Sequence, residues 1–236
     1  MNPYPVWLDA DDSNYLFPHP ENALTEPDGL LAVGGDLSPN RIINAYLNGI
    51  FPWYSHGQPI LWWSPNPRAV LFPEKLHISK SLKKIIRKKT FRTTMNQAFK
   101  QVIHSCAKTP RKKQDGTWIT DDMQQAYLHL HKLGIAKSAE CWSGDLLVGG
   151  VYGLAIGRVF FGESMFSHQS NASKIAFVHL LDELKKSNYA LIDCQVTTDH
   201  LLSLGAEEIP RVKFLELVKQ HTRSFSRFKF SGVINV

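Results

Sequence analysis

YALIDCQV, residues 189–196, is the stretch from which the fold of this chain is inferred. It is short, apolar and partly β-branched and follows a helical pattern ending at residues 185–188, so it predicts a buried strand. Because successive side chains of a strand point to opposite faces, Asp193 and Gln195 should share one face. Burying an unpartnered amide costs roughly 1–3 kcal/mol, and burying a charge costs more. Two interpretations remain: a core carboxylate that anchors a loop, or a strand end that carries chemistry, which we favour.

The elements around this strand predict the class of fold. Two turn sequences, at 143–145 and 156–158, separate apolar stretches that are typical of antiparallel strands. The predicted elements are strands over 139–142, 146–155 and 159–163, a helix over 171–186, and further helices over 198–204 and 212–221. This order predicts an α+β protein and resembles the GNAT-type acetyltransferase fold.

The first 67 residues form a different region, rich in proline, glycine and tryptophan. Residues 30–33 predict a small strand, and Ser38 with the proline after it predicts the start of a short helix that ends at Gly49. We therefore expect a small N-terminal α/β domain over 1–67. A GNAT-like acyltransferase domain that includes a basic helix should occupy 68–236.

The charge of the chain favours an anionic partner. Its 27 Lys and Arg exceed its 21 Asp and Glu, which gives a formal net charge of +6. Twelve of the 27 lie in two runs, 75–92 and 108–113, and the first run contains a predicted helix over 76–89. The alternatives are a solvated helix face and a helix that lies on a membrane surface. The first would have interleaved acidic residues and the second would have aromatic anchors. Both features are lacking, so we favour nucleic acid as the partner. The helix residues expected to contact phosphates are Lys80, Lys83, Lys84 and Arg87.

Aromatic segments at 51–54 and 61–63 are stiffened by prolines. Such rings either pack in a core or form platforms on which bases stack, worth about 1–3 kcal/mol per base. Composition alone does not choose between the two. Trp118, which lies between the basic loop and the start of a predicted helix, is a second candidate for stacking or for packing.

The three cysteines are widely spaced, which argues against a disulfide framework or a zinc site and fits a reducing cytoplasm. The N-terminus lacks the basic and apolar regions of a signal peptide. The most apolar run, 146–161, is too short and too rich in glycine for a membrane-spanning helix. We expect a soluble, cytoplasmic protein without a metal site.

The GNAT-type family holds the pyrophosphate of coenzyme A on a glycine-containing loop that opens the central helix. The corresponding residues here, 166–174, contain no glycine, so close approach of the backbone to a phosphate is disfavoured. An acyl carrier that binds through a basic surface and stacked rings, an aminoacyl-tRNA, fits better. We therefore expect no coenzyme A and no other cofactor.

Between about residues 15 and 211, several motifs resemble those of the leucyl/phenylalanyl-tRNA–protein transferase family. They are GLLAVGGDLSP (29–39), GIFPW (49–53), LWWSP (61–65), GTWIT (116–120), GESMFS (162–167) and LIDCQV (191–196). The resemblance implies transfer of Leu or Phe, less readily Met, from leucyl-tRNA or phenylalanyl-tRNA to a protein that begins with Arg or Lys. The added residue would mark that protein for degradation. We also expect a monomer that does not associate with membranes.

The resemblance further implies roles for individual residues. The terminal adenosine would contact Trp53 and Trp118, with Tyr46 nearby. The functional carboxylates and amide would be Glu163, Asp193 and Gln195. The pocket for the apolar amino acid would draw on Val151, Phe160, Phe177, Leu180 and Ile192.

The implied reaction is aminolysis of an activated ester, which needs proximity and a neutral amine. A peptide α-amine has a pKa of about 7.7–8.0, so a usable fraction is neutral at pH 7. We hypothesise that Asp193 fixes the amide of Gln195, whose oxygen accepts a hydrogen bond from the amine, and that Glu163 reads the basic acceptor side chain. The proton acceptor stays open between Asp193, water and an adenosine hydroxyl. A non-catalytic RNA-binding module and a coenzyme-A-dependent acetyltransferase are the alternative functions.

Overall fold

The computed structural model describes residues 4–110 and 117–227 of the chain. Within these residues the backbone forms eleven strands and seven α-helices. The strands are β1 (Val6–Leu8), β2 (Leu30–Gly34), β3 (Phe51–Pro52), β4 (Leu61–Trp63), β5 (Arg68–Leu71), β6 (Arg92–Met95), β7 (Ala136–Ser143), β8 (Leu146–Ile156), β9 (Val159–Ser167), β10 (Leu191–Gln195) and β11 (Glu207–Ile209). The helices are α1 (Pro39–Leu47), α2 (Lys80–Arg87), α3 (Phe99–Lys108), α4 (Asp121–Lys132), α5 (Ala172–Lys186), α6 (Asp199–Ser203) and α7 (Arg211–Arg227).

The strands form two sheets. The smaller sheet has the order β1-β2-β4-β3 and pairs β1 with β2 in parallel. The larger sheet has the order β11-β5-β10-β9-β8-β7-β6. Its neighbours are antiparallel except β9 and β10, which pair in parallel. Because parallel strands need a long crossover connection, helix α5 fills the segment between β9 and β10.

This arrangement confirms the predicted fold class, α+β with a small N-terminal α/β part followed by a GNAT-like domain. The chain passes from the smaller sheet to the larger one between Trp63 and Arg68. The proposed domain ranges, 1–67 and 68–236, stay a prediction, since buried side chains of both parts share one core. Tyr46 of α1, for example, packs edge-to-face against Phe161 of β9, with ring centroids 5.1 Å apart.

The two faces of the larger sheet carry different layers. On one face, Phe160 of β9 and Ile192 of β10 pack with Phe177 of α5. On the other face, Phe161 and Leu191 pack with α1, α3, α4 and α7. Neighbouring residues of one strand therefore enter opposite layers, as the alternation along a strand requires.

Several elements differ in length from the sequence prediction. Strand β9 continues past the predicted 159–163 to Ser167, and helix α7 continues past the predicted 212–221 to Arg227. Helix α2 is shorter than 76–89, because the Ser79 hydroxyl accepts the backbone N–H of Leu82 and fixes the helix start. Before it, the backbone N–H of His77 donates to the carbonyl of Leu204 at 2.9 Å. Strand β7 extends the predicted 139–142 at its N-terminal end.

In the part of the chain that the structure describes, no helix combines the length and apolar character needed to cross a bilayer.

Candidate active site

A cavity of about 270 Å³ opens where strands β9 and β10 separate. The parallel pairing of the two strands stops at Phe161 and Asp193, although β9 continues to Ser167. The gap between them is closed on one side by the loop and strand residues Phe51, Pro52 and Trp53, and by Trp118. Helices α5 and α6 close the other side.

A buried ion pair lies behind this gap. Arg68 of β5 donates from Nε to Oδ1 of Asp193 at 2.8 Å and from Nη2 to Oδ2 at 2.7 Å. Both side chains are 0% exposed. The guanidinium lies between the rings of Phe51 and Phe214, 4.7 and 4.5 Å from their centroids. Asp193 is therefore a fixed carboxylate, and each of its two oxygens accepts a hydrogen bond from the planar guanidinium of Arg68.

Gln195 is positioned by its main chain. A bulge follows Asp193, since Asp193 pairs with Val70 and Gln195 with the adjacent Ala69. Gln195 has a φ of +63°, and its backbone N–H donates to Oδ1 of Asp193 at 2.9 Å. Asp193 thus fixes Gln195 through the backbone and not through the side-chain amide, which corrects our hypothesis.

The amide of Gln195 is oriented by Glu163 instead. Its Nε2 donates to Oε1 of Glu163 at 3.3 Å, so the amide oxygen points away from that carboxylate. Both residues line the cavity. The amide oxygen is therefore available to accept a hydrogen bond from a bound group.

Glu163 belongs to a group of three oxygen-bearing side chains. The hydroxyl of Tyr46 donates to its Oε1 at 2.6 Å and that of Tyr127 to its Oε2 at 3.0 Å, and the two hydroxyls are 2.7 Å apart. Burial raises the pKa of Glu163 to about 7, although both tyrosine hydrogen bonds act to lower it. Burial and the adjacent carboxylate raise the pKa of both tyrosines well above 10, so both keep their protons.

The structure brings together most of the site residues expected from the sequence. Those that line the cavity are Trp53, Trp118, Val151, Glu163, Phe177, Ile192, Asp193 and Gln195. Phe160 and Leu180 are fully buried in the core layer that also contains Phe177 and Ile192. Tyr46 is also fully buried, and its hydroxyl donates to Glu163. Because it is buried, it is not placed to touch an adenosine.

The two tryptophans differ in exposure. Trp53 is 40% exposed and Trp118 is 7% exposed. The Trp63 indole N–H donates to the carbonyl of Trp53 at 2.7 Å, and the rings of Trp53 and Trp63 lie 5.8 Å apart. These contacts hold the Trp53 ring in place at the cavity mouth.

Sequence reasoning missed several cavity residues and partners. Met165, His200 and Leu201 also line the cavity. Burial lowers the pKa of His200. Arg68 and Tyr127 were missed as the partners of Asp193 and Glu163. The available signals were a lone arginine opening an apolar strand and a tyrosine within the apolar stripe of α4.

The predicted phosphate-binding residues of α2 lie together on the surface. Lys80, Lys83, Lys84 and Arg87 are exposed and, with Lys88, border a shallow depression. Leu82, on the opposite face of α2, is buried in the core. The second basic cluster begins at Lys108, and its residues 111–113 lie outside the described residues.

In residues 4–110 and 117–227, no group of three or more His, Cys, Asp or Glu side chains is arranged to hold a metal ion.

The solved structures to which this chain is similar are distant. The structure of L-PGS from Bacillus licheniformis matches 72% of this chain at 11% identity with a TM-score of 0.40, and this chain spans 54% of its length. A GCN5-related N-acetyltransferase from Kribbella flavida matches 73% of this chain at 9% identity with a TM-score of 0.37, and 61% of its own length is covered. Likenesses of this degree carry no argument about function.

Sequence relatives are much nearer. The family model "Leucyl/phenylalanyl-tRNA protein transferase" matches residues 70–219, and the model of that family's N-terminal domain matches residues 35–66. Leucyl/phenylalanyl-tRNA–protein transferases from Saccharophagus degradans and Stutzerimonas stutzeri are each 55% identical, over 93% and 92% of this chain and 89% and 94% of their own lengths. The protein of that name from Azotobacter vinelandii is 56% identical over 87% of this chain and 90% of its own. The chain belongs to the leucyl/phenylalanyl-tRNA–protein transferase family.

Proposed function

We propose that this protein transfers leucine or phenylalanine, and less readily methionine, from aminoacyl-tRNA to the α-amino group of an acceptor protein, which marks that protein for degradation. The observation that carries the proposal is the composition of a single cavity. Aromatic rings, an apolar wall and the hydrogen-bonded pair Gln195 and Glu163 all line it. These are the three kinds of contact that the end of a charged tRNA needs.

The terminal adenosine of the donor would stack on Trp53, with Trp118 forming the inner wall. Stacking on an aromatic ring contributes about 1–3 kcal/mol per base. The exposed ring of Trp53, braced by Trp63, suits this role because it is already ordered before the base arrives.

The transferred amino acid would occupy the apolar end of the cavity. Val151, Met165, Phe177 and Ile192 offer hydrocarbon, sulfur and ring surface there. An aliphatic or aromatic side chain is stabilised by leaving water, whereas a charged one would lose its hydration without a partner. Phe160 and Leu180 support this wall from behind and would act through packing.

The reaction would be aminolysis of the ester between the amino acid and the tRNA. The side-chain amide oxygen of Gln195 would accept a hydrogen bond from the attacking amine. This would align the lone pair of the amine nitrogen with the ester carbon. Asp193 would act at one remove, by fixing the backbone of Gln195, and Arg68 would keep Asp193 in place. Because the ester is already activated, alignment supplies much of what the reaction needs.

The body of the tRNA would lie on helix α2. The segment before the helix is tied at His77 to Leu204, which follows α6, and α6 carries the cavity residue Leu201. A hydrogen bond therefore connects the segment that precedes α2 to the segment that follows α6. Phosphates that continue from a bound adenosine would meet the exposed cations of α2, releasing counterions from the nucleic acid.

The acceptor would be a protein with an N-terminal Arg or Lys, and both leucyl-tRNA and phenylalanyl-tRNA would serve as donors. The protein would act in the cytoplasm as a monomer, without a cofactor. Glu163 is a catalytic residue in this proposal. Its oxygens accept hydrogen bonds from Tyr46, Tyr127 and Gln195, and its contact with the basic acceptor side chain stays a prediction.

The test combines the purified full chain, leucyl-tRNA carrying labelled leucine, and a peptide that begins with Arg. Label should move to the peptide, and phenylalanyl-tRNA should also serve as a donor. The matched control is the same peptide with its α-amine acetylated, which should stay unlabelled. A parallel reaction offers labelled acetyl-CoA in place of tRNA.

Each outcome separates the proposed function from its alternatives. Label that reaches the peptide only from acetyl-CoA would show an acetyltransferase. Retention of tRNA at low salt without transfer from either donor would show a non-catalytic RNA-binding module. Equal labelling of peptides beginning with Arg and with Asp would contradict the proposed acceptor class.

A further inference from the structure

We propose that Glu163 takes the proton of the attacking α-amine and that Tyr46 and Tyr127 are positioning residues that hold it for this step. The inference rests on the proposed function, because it concerns the same aminolysis. Sequence reasoning left the proton acceptor open between Asp193, water and an adenosine hydroxyl. The structure adds a fourth candidate, with geometry that the other protein candidate lacks.

Asp193 is poorly placed to accept a proton. Its two oxygens receive two N–H groups of Arg68 at 2.8 and 2.7 Å, and Oδ1 also receives the backbone N–H of Gln195 at 2.9 Å. Protonating this carboxylate would leave a guanidinium unpaired in a fully buried position, which is strongly unfavourable. The geometry therefore makes Asp193 a structural partner of Arg68 and Gln195 and not the group that receives the amine proton.

Glu163 lies next to the group that aligns the amine. Its Oε1 receives the amide N–H of Gln195, so an amine bound at the amide oxygen of Gln195 is a neighbour of this carboxylate. Gln195 itself cannot take the proton, because an amide is not a base at working pH. The proton then passes to Glu163 directly or through one water, the usual reach of a general base.

The hydrogen bonds around Glu163 leave room for one more proton. Three short contacts join Glu163, Tyr46 and Tyr127, at 2.6, 2.7 and 3.0 Å. With Glu163 ionised, only two hydroxyl protons serve these three contacts. Proton uptake by Glu163 supplies a third, and each of the three side chains can then donate one hydrogen bond to the next, with the second carboxyl oxygen accepting the last. The structure therefore stabilises both states of the carboxyl group.

The acidity of Glu163 suits the exchange. Its pKa of about 7 lies near a working pH of 7, so the carboxyl group can both take up a proton and release it again. The tyrosines do not compete for the proton, because burial holds their own pKa values well above 10.

The neutral amine attacks the ester carbon, an N–C bond forms, and one amine proton moves to the Glu163 carboxylate. The bond from that carbon to the ribose oxygen of the tRNA then breaks. The ribose oxygen takes a proton back from Glu163, which returns to its ionised form. The products are an amide and a tRNA with a free terminal hydroxyl.

The experiment is a pH profile of kcat/KM for the acceptor peptide between pH 5 and 8, with saturating leucyl-tRNA. In wild type, two groups must lose protons, the amine and Glu163, so log(kcat/KM) should rise at acidic pH with a slope of about two. Glu163→Gln should lower kcat/KM on the order of 10²-fold at pH 7.5 and reduce the slope to about one. A wild-type slope of one, or a slope of two that persists in Glu163→Gln, would overturn the proposal.

The tyrosines are tested by the same profile. Tyr127→Phe removes a donor to the ionised carboxylate, the stronger kind of hydrogen bond, so the acidic limb should move to higher pH. Tyr46→Phe should move it in the same direction. The matched control is Tyr189→Phe, a residue that precedes the start of β10, at the opposite end of this strand from Gln195. This variant should leave the pH profile and the rate unchanged. An unmoved limb in both site variants would refute the positioning role. Transfer by wild type tests the function itself, so the two failures are distinguishable.

Discussion

Replacing Arg68 by methionine should destabilise this protein more than any surface charge change. The substitution keeps most of the side-chain length between the rings of Phe51 and Phe214 but removes the guanidinium. Asp193 is then a buried charge without its main partner. Removing one member of a buried ion pair costs about 3–5 kcal/mol. At about 2–4 °C per kcal/mol for a domain of this size, the melting temperature should fall by roughly 6–20 °C.

The matched control uses an ion pair of the same length in a different environment. Lys75 and Glu207 are 2.7 Å apart, as are Arg68 and Asp193, but their side chains are 52% and 40% exposed. Lys75→Met should therefore lower the free energy of unfolding by only about 0–1 kcal/mol. The shortest nitrogen–oxygen distance is the same in both pairs, so the comparison measures the joint effect of burial and of the second hydrogen bond that Arg68 makes.

Urea unfolding followed by tryptophan fluorescence measures both variants. The double variant Arg68→Met with Asp193→Asn should recover part of the lost stability, because it removes the stranded charge as well. A loss for Arg68→Met no greater than that for Lys75→Met would refute the reasoning. So would a double variant less stable than Arg68→Met alone.

Three further predictions follow from other parts of the site. Trp53→Ala should weaken aminoacyl-tRNA binding by about 5–150-fold, the equivalent of one lost stacking contact, in a filter-binding assay. The pair Lys83→Gln and Lys84→Gln should reduce the salt slope of tRNA affinity by about two units, whereas Lys186→Gln, at the far end of α5, should not. The raised pKa of Glu163 means that the folded state binds the proton more tightly than the unfolded state does. The contribution of this group to stability is therefore greatest at low pH and falls as the pH rises from about 4.5 to about 7. Thermal melts should therefore show the stability of Glu163→Gln gaining on wild type between pH 5 and pH 8.

The regular part of strand β10 was predictable from its sequence. The alternation of Leu191, Ile192 and Asp193 assigned their side chains to opposite faces, and the structure places Leu191 and Ile192 in different core layers. The crossover helix and the three antiparallel strands before it were also predictable. Each of these elements has a long periodic pattern of apolar residues, the kind of signal that local sequence carries well.

Gln195 marks the limit of that reasoning. Its positive φ of 63° and the bulge before it end the alternation, and a non-glycine residue gives no warning of such a conformation. The pairing of Arg68 with Asp193 spans 125 positions of the chain, and no local pattern encodes it. Short strands such as β6 and β11 were missed because three or four residues hold too little periodicity.

Tyr127 shows how a sequence pattern typical of a buried residue can hide a member of the candidate site. Its place in the apolar stripe of α4 predicts burial, and it is fully buried. The same pattern gives no information about its hydroxyl, which reaches Glu163 on a distant strand. A buried hydroxyl needs a partner, so tyrosines in apolar stripes are worth examining for a polar site beyond them.

Arg68 also links catalysis to the completion of folding. Its guanidinium is held by Phe51 from the first sheet, Asp193 from the second and Phe214 from α7, the last described helix to be synthesised. A nascent chain in which α7 has not docked leaves that guanidinium open to water and the end of β10 loosely held. If Gln195 aligns the amine as proposed, such a chain lacks the aligned amide, and we expect it to leave the surrounding aminoacyl-tRNA unused until folding is complete.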